Sequence, residues 1–135
     1  MLKDIIKKLL STCLFASILA VPLAQADIYE LRTYTTHEGR LDDLLARFEN
    51  HTTSLFEKHG IRNIAYWVPQ NGELSENTLI YIIAHSDRES AVANWEAFRS
   101  DPDWVQARAA SRENGALVNE IVSIFMETTA WSDSL

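Results

Sequence analysis

An acid, a base and a phenol alternate along one short segment near the start of the chain. Within Ile28-Tyr29-Glu30-Leu31-Arg32-Thr33-Tyr34, the residues Glu30, Arg32 and Tyr34 are spaced two apart. In a β-strand they therefore point to the same side. A buried acid and base at this spacing can orient a ligand or tune a general base. They can equally form a satisfied ion pair, because burying a lone charge is costly.

Two further residues complete the candidates for catalysis. His85 ends a predicted central strand, and Glu120 lies in the last predicted strand, where it can face the same space as Glu30. In an enzyme, an acid or histidine would act as the base and Arg32 would stabilise an anion. A cavity that exposes His85 or Glu120 would favour chemistry, whereas a filled interior with Glu30 and Arg32 paired would favour a structural role.

Aromatic residues suggest a second kind of site. Trp67, Trp95, Phe98 and Trp104 can roof an apolar ligand pocket. Aromatic side chains at helical spacing are, however, more often part of a core. Including strand residues, the predicted ligand-binding set is Arg32, Tyr34, Trp67, Tyr81, Trp95 and Trp104.

The sequence gives no indication of a metal or cofactor site. His51 and His59 are eight residues apart, and His37 and His85 lack a recognisable ligand spacing. The four glycines fall at predicted helix starts, caps or turns, so no phosphate-cradling loop is formed, and there is no Gly-x-Ser-x-Gly elbow. We therefore predict no metal and no cofactor.

Residues 1–26 have the pattern of a secretory signal peptide. Three lysines precede the apolar run Leu9–Val21, and Ala24-Gln25-Ala26 forms a small-x-small cleavage site. The run is too short for a membrane-spanning helix, which needs about 20 residues. We therefore expect cleavage after Ala26, a periplasmic or secreted protein, and no stable membrane insertion after cleavage.

Cleavage would leave one domain of 109 residues, Asp27–Leu135. It removes three lysines and one aspartate, so the formal net charge falls from −7 to −9. Such an acidic chain is a poor match for nucleic acid. It also removes Cys13, the only cysteine, which excludes a disulfide, a thiolate nucleophile and a zinc–sulfur site from the mature protein.

Hydrophobic periodicity predicts the elements that would position these residues. We expect a long helix of over twenty residues, capped by Thr36 and ended by Gly60, and a helix that opens with the capping box Ser86-Asp87-Arg88-Glu89. Asp101 and Pro102 start a further short helix that ends at Asn114-Gly115. The predicted strands are Ile28–Tyr34, Ile61–Val68, Asn77–His85 and Leu117–Thr128.

The resulting order βαββαβ predicts a ferredoxin-like α+β fold, with strands one and three central and the helices on one side of the sheet. The other side would then expose aliphatic and aromatic residues beyond what a soluble monomer usually shows. We expect a second copy of the chain to cover it, forming a dimeric α+β barrel. Glu30, Arg32 and Tyr34 would then face the cavity between the two sheets.

Several separated motifs resemble the NIPSNAP family. They are Tyr29-Glu30-Leu31-Arg32-Thr33-Tyr34, Gly39-Arg40-Leu41-Asp42, Leu55-Phe56-Glu57-Lys58-His59-Gly60, Trp67, Ala93-Asn94-Trp95-Glu96-Ala97-Phe98 and Asp101-Pro102-Asp103-Trp104. The tail Trp131–Leu135 is similar to the family's ending, with Asp133 where proline is usual. The resemblance implies a ferredoxin-like fold that dimerises as an α+β barrel, and it implies no particular reaction.

Two functions follow as hypotheses. The first is an exported homodimer that binds a small apolar ligand or a partner in the cavity between the sheets. The second is a cofactor-free enzyme, similar to the monooxygenases or isomerases built on dimeric barrels; this rests on likeness of fold alone.

Overall fold

The computed structural model describes residues 27–132. The predicted signal peptide, residues 1–26, and the last three residues of the predicted domain lie outside the described residues. Within residues 27–132, none of the helices has the length and apolar character needed to cross a membrane.

The elements follow the predicted βαββαβ order, with one small helix added. They are β1 (Ile28–Thr36), α1 (Leu41–Arg47), a π-helical turn (Phe48–Thr52), α2 (Thr53–Lys58), β2 (Arg62–Trp67), α3 (Leu74–Asn77), β3 (Thr78–His85), α4 (Arg88–Ser100), α5 (Pro102–Ala110) and β4 (Val118–Met126). The added helix, α3, lies in the connection that the sequence predicts as a polar turn.

The four strands form one antiparallel sheet in the order β2-β3-β1-β4. The ferredoxin-like α+β fold and the central position of β1 and β3 are therefore confirmed. Because β1 pairs with β3 on one side and β4 on the other, its side chains lie at the centre of the sheet. Arg32 is opposite Tyr81 of β3 and Ser123 of β4, so these three side chains share one face.

α1, the π-helical turn and α2 form one continuous helix, called the long helix below. It has eighteen residues from Leu41 to Lys58, fewer than predicted. Thr36 does not cap it, because Thr36 still pairs with Val118 in the sheet, and Arg40 takes the cap position without a side-chain bond. Gly60 ends the helix as predicted, with φ of +73°.

The other two predicted helix starts have different outcomes. Asp87, not Ser86, caps α4, and its carboxylate accepts a hydrogen bond from the Ser90 backbone N–H at 2.7 Å. Asp101 caps α5 as predicted and accepts from the Asp103 N–H at 2.8 Å. α5 ends at Ala110, earlier than predicted, and a turn continues from it towards Gly115.

The two faces of the sheet differ in what covers them. On one face, aromatic residues of the long helix pack on Tyr34 and Tyr81; for example, Phe48 lies 5.8 Å from Tyr34 and 5.1 Å from Tyr81 between ring centroids. The register places aliphatic side chains on the opposite face, and these remain half-buried or exposed. We call this second surface the bare face; it is formed by Leu31, Ile80, Ile82, Val122 and Ile124.

Candidate functional site

Glu30 lies at the centre of a hydrogen-bond network beneath the helices. Its Oε1 accepts hydrogen bonds from Arg32 Nη1 at 2.5 Å and from Ser123 Oγ at 2.6 Å. Its Oε2 accepts from Trp95 Nε1 at 2.8 Å and lies 3.0 Å from His85 Nε2. The side chain is 1% exposed, so these four partners replace the water that the carboxylate loses on burial.

The network keeps this buried carboxylate ionised. Burial by itself raises the pKa of Glu30, but the four hydrogen bonds, the one from His85 foremost, outweigh it and lower the pKa from 4.5 to about 2. An ionised carboxylate only accepts, so His85 Nε2 must carry the hydrogen in their bond. With both oxygens occupied twice, Glu30 has no free position from which to take a proton from a substrate.

The pairing of Glu30 with Arg32 therefore favours the structural role, in which the two form a satisfied ion pair. The two side chains form an ion pair in which Glu30 is 1% exposed and Arg32 is 14% exposed. His85 is fully buried behind Glu30, and its Nδ1 has no hydrogen-bond partner. Glu30 is 1% exposed and His85 does not line the cleft, so neither is the exposed base that would favour chemistry.

Beside this network is an open cleft of about 540 Å³ between the sheet and the helices. β1 forms its floor, β4 forms one wall, and α4 and α5 form the other. We call it the cleft; its residues are Glu30, Arg32, Tyr34, Arg88, Ala91, Val92, Trp95, Phe98, Arg99, Trp104, Arg108, Ile121, Ser123 and Phe125. Its volume is within the range of small-molecule sites.

Aromatic rings and guanidinium groups form most of the cleft's surface. The Arg32 guanidinium lies 4.5 Å from the centre of the Trp95 ring. The Arg88 guanidinium lies 3.4 Å from the centre of the Phe125 ring, and Trp104 packs on Phe98 with centroids 4.5 Å apart. Planar side chains therefore face the cleft from both walls, which suits a planar apolar molecule.

A second cavity of about 370 Å³ adjoins the cleft, and both cavities are lined by Tyr34, Phe98, Trp104, Arg108 and Ile121. The π-helical turn of the long helix contributes to this adjoining cavity. Thr52 and Thr53 donate hydrogen bonds to the carbonyls of the residues five positions earlier, which supports the wider turn.

The location predicted for the first group of residues is wrong. Glu30, Arg32 and Tyr34 were expected between two sheets, but the structure places them between the sheet and its own helices. The physical reason is that Trp95 of α4 bonds to Glu30 and the aromatic residues of the long helix pack on Tyr34. The aliphatic face is the one left bare.

His85 is buried behind Glu30 and does not line the cleft, and three more of the predicted site residues lie away from it. Glu120 pairs with Thr35, whose side chain is on the opposite face from Glu30, so the two acids do not meet. Trp67 is opposite Ile80 on the bare face and is 50% exposed. Tyr81 is fully buried in the core, stacked on Tyr66 at 5.2 Å, and lines neither cavity. Of the predicted ligand-binding set, Arg32, Tyr34, Trp95 and Trp104 line the cleft.

Three arginines of the cleft were missed in the sequence: Arg88, Arg99 and Arg108. A signal for them exists. Arg99 follows Trp95 by four residues and Arg108 follows Trp104 by four, so each arginine shares a helix face with a tryptophan. The pairing of an arginine with a tryptophan, rather than the tryptophans alone, marks the helix surfaces that line the cleft.

The arrangement is better equipped for binding than for proton transfer. The cleft supplies aromatic surface and guanidinium groups, and its one carboxylate is already fully hydrogen-bonded. The remaining hydroxyls are those of Tyr34 and Ser123, which already bond to Arg32 and Glu30. Among residues 27–132, no three histidine, cysteine, aspartate or glutamate side chains cluster in a way that would hold a metal ion.

Comparison with protein families gives one match. The sequence model described as NIPSNAP matches residues 29–133, which is most of the chain. Among curated proteins, none is similar enough to count as a match.

Solved structures share the fold at low sequence identity. A NIPSNAP family protein of unknown function from Agrobacterium tumefaciens is 20% identical, with a TM-score of 0.68 over 80% of this chain and 93% of that one. The ActVA-Orf6 monooxygenase of Streptomyces coelicolor, solved with nanaomycin D, is 12% identical, with a TM-score of 0.57 over 82% and 95%. SnoaB, a cofactor-independent oxygenase from Streptomyces nogalater, is 14% identical, with a TM-score of 0.51 over 79% and 99%.

Proposed function

This chain belongs to the NIPSNAP family, and we propose on that premise that it is an exported, homodimeric protein that binds a small aromatic or apolar molecule. The binding site is the cleft between the sheet and the helices. Family membership supplies the fold, and the side chains of the cleft supply the argument for binding.

The observation that carries this proposal is an open cleft whose two walls are formed by planar side chains. A cavity of about 540 Å³ accommodates a molecule of two or three fused rings. Trp95, Phe98 and Trp104 come from two different helices, and Phe125 faces them from β4. A planar ligand inserted between these walls would bury apolar surface on both sides, which is the main source of favourable binding energy.

The bare face supports the proposal of a homodimer. Val122 and Ile124 are 45% and 51% exposed, and Leu31, Ile80 and Ile82 beside them are only half-buried. This surface is aliphatic except for Thr33, which lies between Ile80 and Val122, and an exposed apolar surface of this kind is typical of an interface rather than of a solvated sheet. Its occupant in this proposal is a second copy of the chain, packed sheet to sheet.

Export is proposed from residues 1–26. The basic start, the short apolar run and the Ala24-Gln25-Ala26 site are the three parts of a secretory signal. Residues 27–135 contain no cysteine, so the mature domain would have no thiol that could be oxidised in such a compartment.

Native mass spectrometry of the protein purified from its own host tests the binding and assembly proposals together. We expect a dimer mass with a retained small molecule. An Ile121→Trp variant, which places an indole in both cavities, should lose that molecule. A Val105→Trp variant should keep it, because Val105 is exposed on α5 and lines neither cavity. Retention by the Ile121→Trp variant, or a protein that neither carries a molecule nor binds an added aromatic dye, would overturn the proposal.

A cofactor-free oxygenase is the second candidate. It is favoured by the fold shared with a monooxygenase and with a cofactor-independent oxygenase. In this candidate, Arg32 and its neighbouring arginines would stabilise an aromatic substrate anion, because Glu30 and His85 are not accessible as bases. The test is oxygen uptake with 1-hydroxy-2-naphthoate: uptake that is lost in the Ile121→Trp variant supports it, and equal uptake in both proteins rejects it.

A further inference from the structure

The cleft has a local charge opposite to that of the whole protein. The chain carries a formal net charge of −7. Yet within the described part of the chain, the cleft is lined by four arginines and a single carboxylate, Glu30. An excess of positive charge concentrated in one concave surface of an acidic protein needs a reason, because like charges repel one another.

Three of these arginines have no acidic partner among residues 27–132. The Glu30–Arg32 ion pair neutralises itself at the floor of the cleft. No carboxylate of the described residues lies within ion-pair distance of Arg88, Arg99 or Arg108, whereas Arg40 and Arg62 elsewhere are paired with aspartates. All three arginines are exposed, so their guanidinium groups are available for an external anion.

The adjoining cavity continues the same pattern. It is lined by Arg47, Arg108 and Arg112, and none of the carboxylates that the structure describes lines it. Arg47 is 7% exposed, its Nε has no hydrogen-bond partner, and its guanidinium lies 5.1 Å from the centre of the Trp104 ring. Burial is the main cause that lowers the pKa of Arg47; Arg108 and Arg112 lower it as well, whereas Tyr34 and Tyr81 act in the opposite direction. This cation is thus buried among other cations, and an anion would relieve that repulsion.

The geometry points to a small aromatic anion as the ligand of the cleft, with its rings between the tryptophan and phenylalanine walls and its carboxylate, sulfonate or phenolate on the arginines. This inference rests on the proposed binding function and adds the charge of the ligand to it. Arginine is suited to the task, since its planar fork binds an oxyanion in two places and stacks on aromatic rings. Arg108 lines both cavities, so it is the residue expected to contribute most.

A matched pair of fluorescent probes separates charge from apolarity. 8-Anilino-1-naphthalenesulfonate and N-phenyl-1-naphthylamine share the same rings and differ by the sulfonate. Titrated into the full-length mature protein, the sulfonate probe should bind roughly tenfold or more tightly than the neutral probe, and this preference should shrink as salt screens the arginines.

Variants locate the preference in the cleft. An Arg88→Gln/Arg108→Gln protein should lose most of the difference between the two probes while still binding the neutral one. Arg62→Gln is the control, because Arg62 is an exposed arginine of β2 outside both cavities. It should retain the full preference.

The outcomes distinguish the inference from the function on which it rests. Equal affinity for the two probes, or a sulfonate preference that the double variant leaves intact, overturns the anion inference and leaves binding standing. Failure of the wild-type protein to bind either probe overturns both.

Discussion

Trp95 donates its indole N–H to Glu30 Oε2 over 2.8 Å, and its ring also lies 4.5 Å beneath the Arg32 guanidinium. One side chain of α4 thereby contacts both members of the ion pair on β1. The contact fixes the distance between the helix and the sheet at the floor of the cleft. Trp95 therefore supports the shape of the site as well as forming part of its wall.

Trp95→Phe removes this hydrogen bond while keeping an aromatic ring. We expect the free energy of unfolding to fall by about 1.5–3 kcal/mol, because a bond to a buried charge is lost. Urea unfolding at constant slope is the measurement. Trp131→Phe is the control, since Trp131 is 85% exposed, and its change should stay within about 0.5 kcal/mol. Equal stabilities of the two variants would contradict the network.

The ionised state of Glu30 predicts how stability depends on pH. Its pKa is lower in the folded protein, about 2, than its usual 4.5. Its contribution is therefore complete above pH 4.5 and is lost as pH falls towards 2. The difference corresponds to about 3 kcal/mol of unfolding free energy. Glu30→Gln should be less stable at pH 7 and should lack this part of the acid dependence.

Comparing the wild-type protein with Glu30→Gln separates the pH dependence due to Glu30 from that due to other acids. Lys58, with His59 second, lowers the pKa of Asp101, and that effect is present in wild type and variant alike. Glu120→Gln is a matched control on the opposite face of the sheet and should follow the wild-type profile. Parallel stability curves for wild type and Glu30→Gln between pH 5 and pH 2.5 would show that the buried carboxylate is not held ionised.

Two isoleucines of β4 provide a test of the dimer. Ile124, on the bare face, is 51% exposed, and Ile121, in the cleft, is 48% exposed. Ile124→Glu should raise the dimer dissociation constant at least roughly tenfold, because it buries a charge in an aliphatic interface. Ile121→Glu should leave assembly unchanged. Sedimentation at micromolar concentration measures both, and a wild-type monomer there would reject the interface.

Processing at Ala26 tests the proposed export. Ala26→Leu places a large side chain where the cleavage site needs a small one, so the precursor should remain uncut in its host. Ala20→Leu is the control, since it makes the apolar run more hydrophobic without altering the cleavage site. Intact-mass measurement of the cell fractions distinguishes the two. A normally trimmed Ala26→Leu protein would contradict the assignment.

The alternation of β1 was enough to sort its side chains into two sets, and hydrophobic continuity was enough to place β3 at the centre. It was not enough to decide which set lies under the helices. Both sets contain apolar residues, and periodicity carries no information about which face a distant helix covers. The deciding feature is the Trp95–Glu30 bond, which joins residues 65 positions apart.

The sequence pattern also could not predict two local features, the π-helical turn and the arginines that line the cleft. The π-helical turn at Phe48–Thr52 depends on two threonine hydroxyls that bond to carbonyls five residues back, and helical periodicity of Leu41 and Leu44 looks the same with or without it. For another reason, the sequence pattern does not single out the arginines of α4 and α5. Arginine on a helix is usually a solvated surface residue, and only the closeness of β4 turns these into the wall of a cleft.

The bond from Ser123 to Glu30 closes a loop of 93 residues and joins the first strand to the last. During synthesis the N-terminal strand β1 is made well before β4. Glu30 therefore lacks the hydrogen bond from Ser123 until almost the entire chain has been synthesised. Because the sheet is complete only when β4 pairs with β1, the fold can be completed only after nearly the whole chain has been synthesised.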